Sequence, residues 1–109
     1  LINMSVKDFG SLFKQAQEMQ SKMADVQRDL AEKKVEVSTG GGMVKIVANG
    51  VNEIISVHID DELINMNDRE VLEDLITGAI NEVHRKVKEL AQEEMTRFTG
   101  GIKIPGLFP

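Results

Sequence analysis

The 109-residue sequence contains no cysteine, tryptophan or tyrosine, and its only two prolines are Pro105 and Pro109. Without cysteine there is no disulfide framework, no thiolate metal site and no thiol nucleophile. Aromatic side chains make up 4% of the residues, so the core has to come from Met, Leu, Ile and Val. No apolar run approaches the roughly 18 residues that a membrane span needs. The segment Leu1 to Lys14 also lacks the basic-then-apolar order of a secretion signal, so a cytoplasmic protein with no membrane partner is expected. A chain of this length fits one domain. It buries about 60% of its surface at best when alone, which makes an oligomer worth expecting.

What is present is ordered by periodicity. Between Asp8 and Lys34 the residues Leu12, Ala16, Met19, Met23, Val26 and Leu30 recur at alternating steps of four and three, a heptad seam on one helix over residues 8–34. Ser11 or Asp8 is expected to cap its start, with Lys33 and Lys34 at the end where the helix dipole favours positive charge. The period then changes to two, predicting a three-stranded antiparallel sheet over 35–59. Gly40-Gly41-Gly42 reads as a flexible connector between the first two strands. Asn49-Gly50 reads as a two-residue type I′ hairpin turn joining 43–48 to 51–59. In the third strand Glu53 interrupts the apolar face, which points to a bulge or an edge position. An acidic loop, Asp60-Asp61-Glu62, precedes a second helix over 68–98, with Leu72, Leu75, Ile76, Ala79, Ile80, Val83 and Val87 on its apolar face. Gly100-Gly101 ends that helix, and residues 99–109 form an apolar tail in which proline forbids further helix. The expected fold class is α+β, as one domain over 1–109.

Lengths argue for a dimer. A helix of about 25 residues spans nearly 40 Å, whereas a strand of about seven covers little more than 20 Å, so the first helix overhangs the sheet. Leu12, Ala16, Met19 and Met23 then face water unless a second copy covers them. The competing arrangement folds the second helix of the same chain back along the overhang and yields a monomer.

Charge points weakly to a polyanion. The chain has 18 acidic and 13 basic side chains, a net charge of −5, yet residues 52–82 hold nine acids and one base while residues 83–109 hold five bases and three acids. The bases lie mostly on the first helix and late in the second, so a local patch can serve a protein that is acidic overall. On the first helix they are interleaved with Glu18, Asp25 and Asp29, as on any solvated face. No catalytic set emerges. His58 and His84 lie in different elements without a ligand pattern, the triglycine lacks the helix and lysine of a phosphate loop, and Asp60, Asp61 and Glu62 lack the spacing of a calcium loop. Ser11, Ser21, Ser38 and Ser56 have no His–acid partners in the sequence. No enzyme, metal or cofactor is expected.

Several segments are familiar in their order and spacing: residues 12–23, Leu-Phe-Lys-Gln-Ala-Gln-Glu-Met-Gln-Ser-Lys-Met; Gly41-Gly42-Met43-Val44-Lys45 leading to Asn49-Gly50; Leu72-Glu73-Asp74-Leu75-Ile76 with Asn81; and Ile104-Pro105-Gly106. Together they resemble the YbaB/EbfC family over almost the whole chain. That resemblance implies a bacterial nucleoid-associated protein, a tweezers-like homodimer that binds DNA with weak or limited sequence preference and resides in the cytoplasm on the nucleoid. It also implies genes often close to those of replication and recombination, where a protein partner would be sought. Lys14 and Lys22 match the family's first-helix motif, and Arg85 and Lys86 match a basic pair in its last helix. Arg28, Lys88 and Arg97 are basic neighbours without a firm match. Glu89, Glu93 and Glu94 depart from a continuous basic groove. The alternative is a protein-interaction scaffold whose DNA binding is incidental.

Overall fold

A computed structural model describes residues 6–98. The order is α1 (Val6–Glu32), β1 (Lys34–Thr39), β2 (Val44–Asn49), β3 (Ile54–Ile59), a short α2 (Asp61–Asn65) and α3 (Arg69–Phe98). Long helix, three-stranded antiparallel sheet, long helix is the α+β architecture that the change of period predicts. The expected tail over 99–109 lies outside the described residues.

The strands lie in the order β1-β2-β3. Val37 pairs with Ile46 and Ile46 with Val57, so these three share one face, while Ser38, Lys45 and His58 share the other. α3 packs on the first face, over β1 and β2. The core there is Val37, Val44, Ile46 and Ala48 from the sheet, Leu63 from α2, and Ala79, Val83 and Val87 from α3. The small Ala79 is fully buried, letting the helix approach the sheet closely. Thr39 Oγ1 donates to the Leu75 carbonyl oxygen at 2.8 Å, tying the end of β1 to the first turns of α3. Asp68 accepts from the Val71 backbone N–H at 3.3 Å, which supplies the N-terminal cap of α3.

Four local expectations are corrected. Helical structure is already present at Val6, so Asp8 and Ser11 lie inside α1 and do not cap it. The helix ends at Glu32, so Lys33 and Lys34 lie just past its last turn and not within it; Lys34 begins β1, and the Lys33 ammonium meets Glu94. Gly40-Gly41-Gly42 is a defined left-handed turn, with φ of 63°, 66° and 95°, closed by Met43 N–H on the Gly40 oxygen at 3.3 Å. The positive φ of Gly40 favours glycine, and a Cβ there would stand 2.8 Å from Leu75 Cδ1, so that side chain would have to move aside.

The fourth correction concerns the hairpin. The loop is Gly50-Val51-Asn52: Asn49 N–H bonds the Glu53 oxygen at 2.9 Å, and the positive φ of 68° falls on Asn52. Asn49 organises it, its Oδ1 accepting from Val51 N–H at 3.1 Å and Glu53 N–H at 3.0 Å, its Nδ2 donating to Glu53 Oε1 at 2.8 Å. Gly50 is required for a different reason. Its N–H bonds the Leu30 oxygen at 2.8 Å, beside the longer bond which that oxygen takes from Lys33 N–H at 3.3 Å, and a Cβ would lie 2.5 Å from that oxygen. The irregularity expected near Glu53 sits two residues on. Ser56 pairs with Val47 and Ile54 with Ala48, leaving Ile55 as the extra residue on an edge strand.

The molecule extends 72 × 23 × 20 Å, with a radius of gyration of 20.9 Å. A compact chain of this size would have about 13 Å. α1 causes the difference. α3 runs along β1 from the Thr39 end to the Lys33 end, where the Lys33 ammonium meets Glu94. Phe98 then shares a cleft with Lys22, Asp25 and Val26 of α1. The helices are therefore antiparallel and overlap only at the base of α1, where Val26 and Leu30 are its two buried residues. Every residue from Val6 to Lys22 is exposed, forming an arm about 25 Å long.

Candidate nucleic-acid interface

The seven predicted contacts fall on two helices. Lys14, Lys22 and Arg28 are exposed on α1; Arg85, Lys88 and Arg97 are exposed on α3, and Lys86 is half-buried. They differ in what already holds them. Arg28 donates to Asp25 Oδ1 at 3.0 Å, one turn away on the same helix surface. Arg85 is clasped between Glu82 and Glu89, with Nε 3.1 Å from Glu82 Oε2. The hydrogen bond from Arg85 is the main reason the Glu82 carboxyl titrates below its ordinary range. Lys86 Nζ donates to the Glu36 carbonyl oxygen on the open edge of β1 at 3.1 Å. Arg97 is paired with Glu94. Lys14, Lys22 and Lys88 have no ion-pair partner among the described residues.

Charge is polarised along the long axis. The stretch from Asp60 to Asp74 has seven acids and one base. It covers α2 and the first turns of α3, at the triglycine end of the body, as the approach of Gly40 to Leu75 shows. Lys14 and Lys22 lie on the arm, which leaves from the opposite end. A polyanion meeting the arm therefore stays clear of the most acidic part of the chain.

The predicted dimer seam is exposed in the single chain. Leu12 is 50% and Met19 55% exposed, Ala16 is exposed and Met23 half-buried. Sequence reasoning left other apolar side chains out of that seam. Phe9 and Phe13, 61% and 65% exposed, widen it towards the tip of the arm. Ile54 and Val57 of β3 lie on the core face of the sheet but beyond the cover of α3, and Ile64 and Met66 are exposed nearby in the chain. The alternation in β3 marks an apolar face without telling whether this chain covers it. The spacing of Phe9 and Phe13, four residues apart, was available as a signal for the wider stripe.

The two histidines lie apart. His58 Nε2 is 3.3 Å from Asp60 Oδ1, and His84 Nδ1 is 3.3 Å from Asn52 Oδ1. No group of three metal-ligating side chains occurs among the described residues, and no described helix is long and apolar enough to cross a membrane.

Comparison with known proteins agrees with this architecture. Residues 4–102 match the model of the YbaB/EbfC DNA-binding family. A nucleoid-associated protein of Desulfotalea psychrophila is 46% identical over 100 residues, covering 92% of this chain and 94% of its own. A nucleoid-associated protein of Ruminiclostridium cellulolyticum is 47% identical over 102 residues, covering 93% and 89%. Among solved structures, an uncharacterized protein from Helicobacter pylori superposes with a TM-score of 0.72 at 23% identity, covering 89% of this chain and 99% of that one, a likeness of fold. The family is one of DNA-binding proteins and not of enzymes. On the breadth of these matches, the chain belongs to the YbaB/EbfC DNA-binding family.

Proposed function

We propose that this is a nucleoid-associated protein that grips double-stranded DNA as a homodimer, through lysines and arginines on α1 and α3 and with little base readout. The observation that carries this reading is an exposed arm bearing Lys14 and Lys22 without ion-pair partners among the described residues, on the side of the molecule away from its acidic end. Lys88 joins them on α3. Arg28 and Arg85 take part by exchange: exposed ion pairs in water contribute only about 0–1 kcal/mol, so a phosphate displaces the carboxylate at little cost. Arg97, whose side chain is 67% exposed, contributes from within its pair with the buried Glu94. Lys86 contributes from the edge of β1. Phosphate contacts set position and affinity but carry no sequence information. Membership of the family and the names of the relatives support DNA as partner and the nucleoid of the cytoplasm as location.

The second copy covers what one chain leaves bare. Leu12, Ala16, Met19 and Met23 form the dimer seam, and burial of each Leu or Met contributes roughly 1.5–3 kcal/mol. Ile54 and Val57 on β3 extend the same requirement to the sheet. The rival reading, a scaffold for a protein partner in replication or recombination, draws on the same apolar surface. Sedimentation at micromolar concentration separates the two, since only the first gives dimers of the purified chain.

The direct test is an anisotropy titration of duplex DNA at several salt concentrations. The logarithm of the affinity falls linearly with the logarithm of salt. Lys14→Glu together with Lys22→Glu removes four phosphate contacts per dimer, weakening binding and lowering the slope by roughly 3–4, while leaving the dimer intact. Binding that is indifferent to salt would overturn the phosphate mechanism, and unchanged affinity in the double variant would remove those lysines from the site.

A further inference from the structure

Glu94 is the one acidic residue in the described chain that is buried, at 4% exposure, and its position is unusual. Its carboxylate takes a hydrogen bond from the ammonium of Lys33, the residue joining α1 to β1, and another from the guanidinium of Arg97, one turn further along α3. Lys33 and Arg97 remain 41% and 67% exposed, so the two cations reach water over a carboxylate that is itself nearly covered. Asp29 of α1 and Glu93 of α3 add negative charge around Arg97. This cluster sits where the arm leaves the body. Val26 and Leu30 are the buried residues of α1, held by non-directional apolar contact, and one directional bond, from Gly50 N–H to the Leu30 oxygen, fastens its last turn to the hairpin. Charge-assisted hydrogen bonds have fixed geometry.

We infer that Glu94 is a positioning residue for DNA binding: by holding Lys33 and Arg97 together it fixes the angle between the α1 arm and the body, and with it the placement of Lys14 and Lys22. This inference rests on the proposed role of those lysines. Leverage is the physical reason. From Asp29 to Val6 the helix rises about 35 Å, so a rotation of about 10° at the base moves the tip by about 6 Å. Lys14, about 22 Å from Asp29, moves by about 4 Å, more than the ~3.4 Å axial spacing of phosphates along one strand, whereas Lys22, about 10 Å out, moves by about 2 Å, so the rotation changes which phosphates the two lysines meet together. A buried ion cluster often adds little stability compared with apolar packing, and specifying one geometry is its better attested use.

The absence of cysteine makes the test clean. Spin labels are placed at Ser11→Cys on the arm and Ser38→Cys on the body, and labelled protein is diluted into unlabelled protein so that the distance within one chain is read. In the parent a narrow distribution is expected. Glu94→Gln broadens or shifts it at a temperature where circular dichroism shows an intact fold, and weakens duplex binding several-fold. Lys33→Met, which cuts the tie between the junction and α3 while leaving the Arg97–Glu94 pair, has the same effect on the distance and stands in should Glu94→Gln not fold. An unchanged distribution in the folded variant overturns the inference, whatever the affinity does. A changed distribution with unchanged affinity also removes Glu94 from DNA positioning, and it points to the arm lysines as the part of the functional reading that is wrong.

Discussion

At the base of α1, Val26 and Leu30 are 8% and 4% exposed; further along the same seam Leu12 and Met19 are 50% and 55% exposed. All four belong to one pattern of threes and fours, so nothing in the pattern distinguishes base from arm. What distinguishes them is geometry. α3 overlaps α1 only near Lys22 to Leu30, and the sheet is no longer than its six-residue strands. A heptad stripe states that a face is to be covered. It leaves open whether the cover is the same chain, a second copy or another protein.

The contrast is broken most forcefully in the body. Ile46→Ala empties a site that is 2% exposed and should cost about 2–5 kcal/mol of unfolding free energy in chemical denaturation. Leu12→Ala should leave the stability of the dilute, monomeric chain within about 0.5 kcal/mol while raising the concentration needed for dimers, read by sedimentation. Equal losses from the two variants in the monomer would erase the distinction between base and arm. Next comes the joint between the regions: Gly50→Ala forces a Cβ against the Leu30 oxygen and should destabilise by about 2 kcal/mol, with early loss of amide protection at the end of α1 in hydrogen exchange. Native protection there would show that α1 ends without help from the hairpin.

The smallest expected effect is on acidification. Hydrogen bonds from Arg97 and then Lys33 hold the Glu94 carboxyl below its ordinary value of 4.5, against the opposing effect of burial. A depressed folded-state value means the stabilisation is present at neutral pH, persists down to that ordinary value, and is lost as pH falls through the folded one. Thermal melts between pH 6 and pH 3 should therefore show a drop below about 4.5 that is shallower in Glu94→Gln than in the parent. Identical acid profiles would place the titrating group elsewhere, with Glu82 beside Arg85 the next to examine.

The architecture was legible because periods of 3.6 and 2 follow from which face each segment buries, and tertiary packing did not override them. The turns were legible only as breaks. Asn49-Gly50 has the composition of a type I′ turn, yet its glycine answers to a carbonyl at the end of α1, a partner remote in the chain that no local window contains. The triglycine likewise looks like slack, while Leu75 shows it to be a fitted corner. For the candidate site, sequence yields the cations but not their partners. Arg85 and Lys86 are adjacent in the chain, yet one is neutralised by two glutamates of its own helix and the other lies on a strand edge. Glu94 read as a departure from a basic groove, because burial of a carboxylate between two helices depends on a crossing that only the folded chain displays.

The described part of the body buries no residue between 6 and 21, and this separates the arm's length from the packing of the core. Seven extra residues inserted in register would carry the tip outward by about 10 Å and bring the greasy stripe back to nearly the same bearing, whereas five would swing it well aside. The span of the arm is thus adjustable in near-heptad increments, by insertion or deletion alone, without repacking a single core side chain.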